Sequence, residues 1–166
     1  PPLWGRCPAG QRGARRNALR GREMTGATDP FGTLPDGDPV HRATISAGGL
    51  TAKILTWGAV VQDLRLAGHP DPLVLGFEAI GHYLGHSLFF GAIVGRYANR
   101  IARGRFTIDG ERFEADGNDH GNTLHGGSQG LFQRNWTIVG RGDDFVTLTA
   151  HEPDGWMGFP GALDIV

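Results

Sequence analysis

Cysteine is nearly missing from this 166-residue chain: Cys7 is the single one, so no internal disulfide can staple the fold, and a reducing compartment is the simplest setting. No run approaches the ~18 consecutive apolar residues that a membrane-crossing helix needs, and the first 23 residues lack the apolar stretch of a secretory signal. A cytoplasmic location without membrane association is therefore expected. The phosphate-cradling pattern G-x-x-x-x-G-K-[ST] does not occur, and Gly126-Gly127-Ser128-Gln129-Gly130 lacks the spacing of a dinucleotide fingerprint. Of the seven histidines (His41, His69, His82, His86, His120, His125 and His151), only His82 and His86 fall four apart, with no third ligand or Glu to complete a zinc pattern. No metal and no cofactor are expected, Cys7 has no plausible folded partner as a nucleophile, and no repeat of fixed period is visible.

Net charge is also small, −1, but it is unevenly spread. Residues 1–23 hold six arginines (Arg6, Arg12, Arg15, Arg16, Arg20 and Arg22) against one acid, Glu23, which makes a head of +5 joined to a remainder of −6. That head is rich in Gly, Pro and Arg and has no apolar periodicity, so it cannot bury enough surface to offset the entropy of ordering. It is expected to be a disordered extension. No aromatic residues alternate with its arginines as base-stacking platforms would, which argues against nucleic acid as a partner. Met24 opens a polar segment, residues 24–39, with a turn signal at Pro35-Asp36-Gly37; Met24 is read as the natural start and residues 1–23 as an upstream extension. Residues 162–166 read as the beginning of a strand, so the chain is expected to be part of something longer.

What is present suits a globular domain: 39% hydrophobic and 20% charged residues, an ordinary balance. Glycine, 28 of 166, fits many short strands joined by tight turns better than helices. Apolar and polar residues alternate over 60–66 and 145–150, placing one face of each segment against a core. Residues 105–108 and 111–114 flank Asp109-Gly110, a pair that favours the positive φ angles of a type I′ turn and so predicts a hairpin. Residues 136–139 pair plausibly with 145–150 across the turn at 140–144. Only residues 77–84 suit a short helical turn. The class indicated is all-β, a sandwich or large open barrel.

Two long segments remain. Residues 90–106, Phe-Gly-Ala-Ile-Val-Gly-Arg-Tyr-Ala-Asn-Arg-Ile-Ala-Arg-Gly-Arg-Phe, follow F-G-x-x-x-G-R-x-A-N-R-I-x-x-G-x-F, and Asn122-Thr123-Leu124-His125-Gly126-Gly127 follow N-x-L-H-G-G. Pro153-Asp154-Gly155 with Gly158-Phe159-Pro160-Gly161 match P-D-G-x-x-G-F-P-G, and Glu152 stands where Ser is usual, a departure not expected to matter for catalysis. In these motifs residues 40–166 resemble the aldose 1-epimerase (galactose mutarotase) family, over its N-terminal portion only. Independently of the family, a monosaccharide presents a ring of hydroxyls that both donate and accept, so its site needs multi-headed partners such as Asn, Arg and His. Asn99, Arg100 and His125 are such a set, and glycines beside His125 would let backbone approach a ligand closely.

The resemblance implies a galactose-mutarotase-like β-sandwich (supersandwich), truncated, and a cofactor-free interconversion of α and β anomers of aldohexoses such as galactose or glucose, with a small-molecule sugar as the substrate. It implies substrate contact by Asn99, Arg100 and His125, with the general acid, a second histidine, and the general base, a glutamate, both lying beyond residue 166. No catalytic residue is then expected within 1–166. Arg96, Arg103 and Arg105 are read as solvated strand-face charges or ion pairs, His120 as a loop residue, and Trp136 as core, while Trp156 has the chemistry to stack on a sugar face. Two alternatives stay open: a non-catalytic carbohydrate-binding sandwich, and a relative acting on hexose 6-phosphates, in which Arg96, Arg103 and Arg105 would serve the phosphate.

Overall fold

The structure is a computed structural model that describes residues 26, 28–86 and 88–166; the expected disorder of residues 1–23 lies outside them. The first sheet has four antiparallel strands in chain order: β1 (Thr28–Thr33), β2 (Pro39–Ala47), β3 (Leu50–Leu55) and β4 (Val61–Leu66). Each joins its sequence neighbour, so the sheet is a meander, and β2 and β3 pair in unbroken register from Arg42 opposite Leu55 to Ala47 opposite Leu50. β1 falls in the segment that shows no alternation in the sequence. Its register slips between Pro30 and Gly32, and an edge strand is where a sheet tolerates a proline. The expected turn at residues 35–37 forms between β1 and β2, closed by the Gly37 N–H donating to the Leu34 carbonyl at 2.9 Å.

The short helix α1 (Ile80–Gly85) forms in the one stretch where a helical turn is expected, 77–84, and runs one residue past it. It buries Tyr83 with Leu34, Val40, Leu55 and Val60 in the larger of two apolar clusters. Tyr83 is fixed at both ends: its ring meets Phe77 edge-on at 5.3 Å, and its hydroxyl accepts the Phe77 N–H at 2.8 Å. No described helix is long and apolar enough to cross a membrane.

A second sheet has three strands, ordered β11 (Leu163–Ile165), β10 (Val146–Glu152), β9 (Thr137–Arg141). The expected pairing of the 136–139 region with 145–150 forms, with Leu148 opposite Ile138 and Thr149 opposite Thr137. Trp136, expected to be core, is buried with Ala59 and Leu131 in the second cluster. The two sheets are stitched where the chain leaves β3: the Gly58 N–H donates to Arg134 O at 2.7 Å, and the Trp136 N–H to Thr56 O at 2.8 Å.

Two small ladders complete the described strands. β6 (Arg105–Ile108) and β7 (Glu111–Glu114) form the hairpin read from the sequence, with φ of 51° at Asp109 and 86° at Gly110, as a type I′ turn requires. β5 (Arg100–Ile101) pairs with β8 (Thr123–Leu124). This last ladder is only two rungs long, yet it joins the two sequence motifs that carry the candidate site.

Candidate functional site

Asn99 immediately precedes β5 and His125 immediately follows β8. Because Arg100 sits opposite Leu124 in an antiparallel register, the next rung sets Asn99 across from His125. Both take left-handed backbone angles, φ 64° and 54°, which Asn and His adopt more readily than most residues. They are tied reciprocally. The His125 N–H donates to the Asn99 carbonyl at 3.0 Å, and the Asn99 N–H donates to His125 Nδ1 at 3.1 Å.

That second bond settles the imidazole's protonation. A backbone N–H can only donate, so Nδ1 is bare, and a neutral ring then carries its proton on Nε2. Burial, reinforced by the positive charge of Arg100, holds the His125 pKa below its ordinary value, favouring the neutral form. Phe89 braces the ring at a centroid distance of 4.7 Å and is itself backed by Phe132 at 4.7 Å. Gly126 follows with φ 93°, and a Cβ there would overlap the Gly95 carbonyl. Glycine is therefore demanded twice at this position, by angle and by contact, and the contact ties the loop after His125 to the segment leading to Asn99.

Arg100 is about half exposed, with its Nε donating to Asp119 Oδ2 at 2.6 Å and one terminal nitrogen donating to Asn99 Oδ1 at 3.4 Å. Asp119 closes a tight turn: its N–H donates to the Asn122 carbonyl at 2.9 Å and the Asn122 N–H returns to its carbonyl at 2.8 Å. His120 and Gly121, at the centre, have φ of 51° and 83°. His120 Nδ1 lies 3.1 Å from the second carboxylate oxygen. The hydrogen bond from Arg100, then that from His120, holds the Asp119 pKa below the usual carboxylate range. Asn118 grips β8 from the same loop, accepting the Leu124 N–H at 2.7 Å and donating to its carbonyl at 3.0 Å. Asn122 accepts the Arg103 N–H at 3.0 Å. The loop at 116–121, where only His120 is noted from the sequence, as a loop residue, thus supplies the residue that orients Arg100. Its signal is a cluster of Asn, Asp and His beside the second motif, and only the closed turn singles out Asp119.

The other arginines divide. Arg105 pairs with Glu114 across the hairpin at 3.3 Å, both well exposed, as a strand-face ion pair should be. Arg96 is also an ion pair but a buried one: its Nε donates to Glu152 Oε2 at 2.8 Å, with side-chain exposures of 13% and 2%. Its terminal nitrogens reach the Pro153 and Pro160 carbonyls at 3.0 and 3.1 Å, and also the Gly161 carbonyl. Three residues before Asn99, Arg96 therefore fastens the first motif to the third. The third motif reaches the His125 loop as well, through Trp156 Nε1 donating to the Gln129 carbonyl at 2.9 Å. Trp156 carries the Arg134 guanidinium 4.1 Å from its ring centroid, so that ring already has a stacking partner.

The three candidate residues thus share one surface, with Arg100 beside the Asn99–His125 rung. A cavity of about 490 Å³, walled by Tyr97, Ile101, Phe106, Ile108 and Phe159, reaches Arg100 and Arg96 but includes neither Asn99 nor His125. Among the described residues no group of three or more His, Cys, Asp or Glu is placed to hold a metal ion.

Comparison with known proteins gives the family. Residues 41–166 match the family model described as aldose 1-epimerase. The chain is 38% identical over 141 residues to galactose mutarotase of Rattus norvegicus, covering 81% of this chain and 40% of that protein. It is 37% identical over 133 residues to aldose 1-epimerase of Escherichia coli K12, covering 78% and 38%. Among solved structures it resembles galactose 1-epimerase from Lactobacillus acidophilus, with a TM-score of 0.72 at 25% identity over 86% of this chain and 43% of that one. The chain spans about two fifths of the length of the curated relatives it matches.

Proposed function

The chain belongs to the aldose 1-epimerase family, and from that premise we propose that the protein interconverts the α and β anomers of an aldohexose such as galactose or glucose, with Asn99, Arg100 and His125 as one wall of the sugar site. The observation that supports this most strongly is the Asn99–His125 rung, which holds a neutral imidazole with its proton on Nε2 beside a half-exposed guanidinium. Such a wall offers donors at fixed positions to ring and hydroxyl oxygens without itself changing charge. A hydrogen bond from a charged donor such as Arg100 contributes about 1.5–3 kcal/mol.

Anomer exchange needs two proton transfers. A base removes the proton from the anomeric hydroxyl while an acid protonates the ring oxygen; the C1–O5 bond breaks, the C1–C2 bond rotates, and reclosure on the other carbonyl face inverts C1. Each positioned proton-transfer group is typically worth roughly 10²–10⁴ in rate. We propose that the acid and base come from the part of the family's length that residues 1–166 do not span, and that the present chain supplies binding and orientation. The setting we propose is cytoplasmic and cofactor-free.

Titration of the chain with D-galactose, followed by ¹H–¹⁵N NMR, tests the wall: shifts should centre on the Asn99 and His125 amides and the Arg100 Nε–H. Polarimetry of freshly dissolved α-D-galactose should show this chain equilibrating the anomers no faster than buffer. Shifts clustered away from these three residues would overturn the assignment of the wall. Anomer exchange clearly faster than buffer would overturn the assignment of the acid and base.

A further inference from the structure

Two arginines near this wall, Arg96 and Arg105, are not free to act as anion receptors. Arg96 is consumed by Glu152 and the carbonyls of the third motif, and Arg105 pairs with Glu114 on the hairpin. Arg100, the cation within the wall itself, has its Nε edge occupied by Asp119 Oδ2 at 2.6 Å. Asp119 is well placed for a lasting role. Its side chain is only 19% exposed, its backbone is pinned at both ends of the 119–122 turn, and its other oxygen faces His120.

We propose that Asp119 is a specificity-determining residue: by holding the Nε edge of Arg100 and cancelling its charge, it makes the wall accept neutral sugar hydroxyls and reject a phosphate group. This rests on the proposed sugar-binding reading and names the substrate class it selects. The chemistry is one of competition. A phosphate approaching the guanidinium seeks a two-pronged contact with parallel N–H donors. The edge that includes Nε is already bonded to a carboxylate, which leaves a phosphate only the terminal nitrogens, and there the incoming dianion would stand within a few ångströms of that like charge. A neutral hydroxyl suffers neither penalty and needs only the terminal nitrogens. With separations near 5–6 Å and an effective dielectric close to that of water, the repulsion corresponds to on the order of a tenfold loss in anion affinity. The same contact has a positioning side, since a guanidinium anchored at Nε swings less than one held only by its stem.

The test is a ligand-selectivity measurement on the intact chain and two variants. Asp119→Asn keeps the size of the side chain and removes its charge. Asp109→Asn, at the exposed hairpin turn, makes the same change in net charge away from Arg100 and controls for the overall field. Inorganic phosphate is titrated first, read at the Arg100 Nε–H resonance, because this arm needs no sugar binding. D119N should bind phosphate about tenfold tighter than the unaltered chain, and D109N should match the unaltered chain. Calorimetric or NMR affinities for D-galactose and D-galactose 6-phosphate follow, and the ratio should shift toward the phosphate ester by a similar factor in D119N alone. Equal phosphate affinity in D119N and the unaltered chain, or an equal gain in D109N, overturns the proposal. Failure of galactose to bind any of the three proteins, with the phosphate response as expected, would instead overturn the sugar-wall reading and leave Asp119 as a gate on Arg100.

Discussion

His125 is where the local chemistry is most sharply determined. Its Nδ1 accepts a backbone N–H that has no alternative role, so protonating the ring replaces a hydrogen bond with two facing donors. The folded-state pKa lies below the ordinary imidazole value because of burial and then of Arg100, while the unfolded chain titrates near 6.5. Between those two values the unfolded state binds a proton that the folded state refuses, so stability rises with pH across this window. The contribution is fully present above about pH 6.5 and is lost as the pH falls toward the folded value. Urea unfolding midpoints measured from pH 7.5 down to 5 should therefore fall more steeply for the unaltered chain than for His125→Gln, whose side chain does not titrate. Long-range ¹H–¹⁵N correlation at neutral pH should show Nδ1 bare and Nε2 protonated. A ring protonated on Nδ1, or a pH profile that H125Q leaves unchanged, would remove the basis for treating Nε2–H as the donor to sugar.

At the scale of elements, three segments distant in sequence converge on one place. The two-rung ladder of β5 and β8 is too short to hold its register unaided, and the third motif braces it from both sides: Arg96–Glu152 on the Asn99 side and Trp156 on the His125 side. Breaking a buried ion pair by deleting one partner leaves the other charge stranded, at a cost of about 3–5 kcal/mol. Glu152→Ala should therefore lower the unfolding free energy by about that amount, whereas Glu114→Ala, which frees only the exposed Arg105, should lower it by less than about 1 kcal/mol. Chemical denaturation of the two variants side by side checks the contrast, and equal losses would show that burial of Arg96 is not what matters. These elements also show why some of the fold was legible in the sequence and some was not. The hairpin at Asp109-Gly110 and the strand over 145–150 are local signals, and both elements form, although residues 146–150 are all half-buried rather than alternating between core and solvent. The meeting of Asn99 and Arg100 with His125 was not visible in the sequence, because it depends on a register that pairs positions 26 apart. The Arg96–Glu152 pair spans 56 residues, and nothing near either residue announces it; Glu152, whose standing in the place of serine is not expected to matter for catalysis, has a structural role in anchoring a buried charge. β1 was missed because Pro30 and Gly32 interrupt the alternation by which an edge strand would be recognised.

At the scale of the whole molecule, the apolar surface is distributed in a way that bears on association. The four-stranded sheet is guarded at β1 by its proline and register slip, a common protection of an edge. The three-stranded sheet is less guarded. On its β9 edge Val139 is 43% exposed, and β9 carries a row of backbone groups that, among the described residues, meets no further strand of its sheet. Ile108 on the hairpin and Tyr97 within the first motif add further exposed apolar area. A short β-rich edge of this kind pairs readily with another copy. The chain should accordingly self-associate with rising concentration across the micromolar range, seen as an increasing weight-average sedimentation coefficient. Val139→Lys places a charge on that edge without touching the buried Trp136 cluster and should shift the distribution back toward monomer while leaving the unfolding midpoint nearly unchanged. If V139K associates as strongly as the unaltered chain, the contact lies elsewhere, and the apolar cavity walled by Ile108, Phe106 and Phe159 becomes the surface to alter next. If the unaltered chain sediments as one species at every concentration, the β9 edge is adequately protected as it stands.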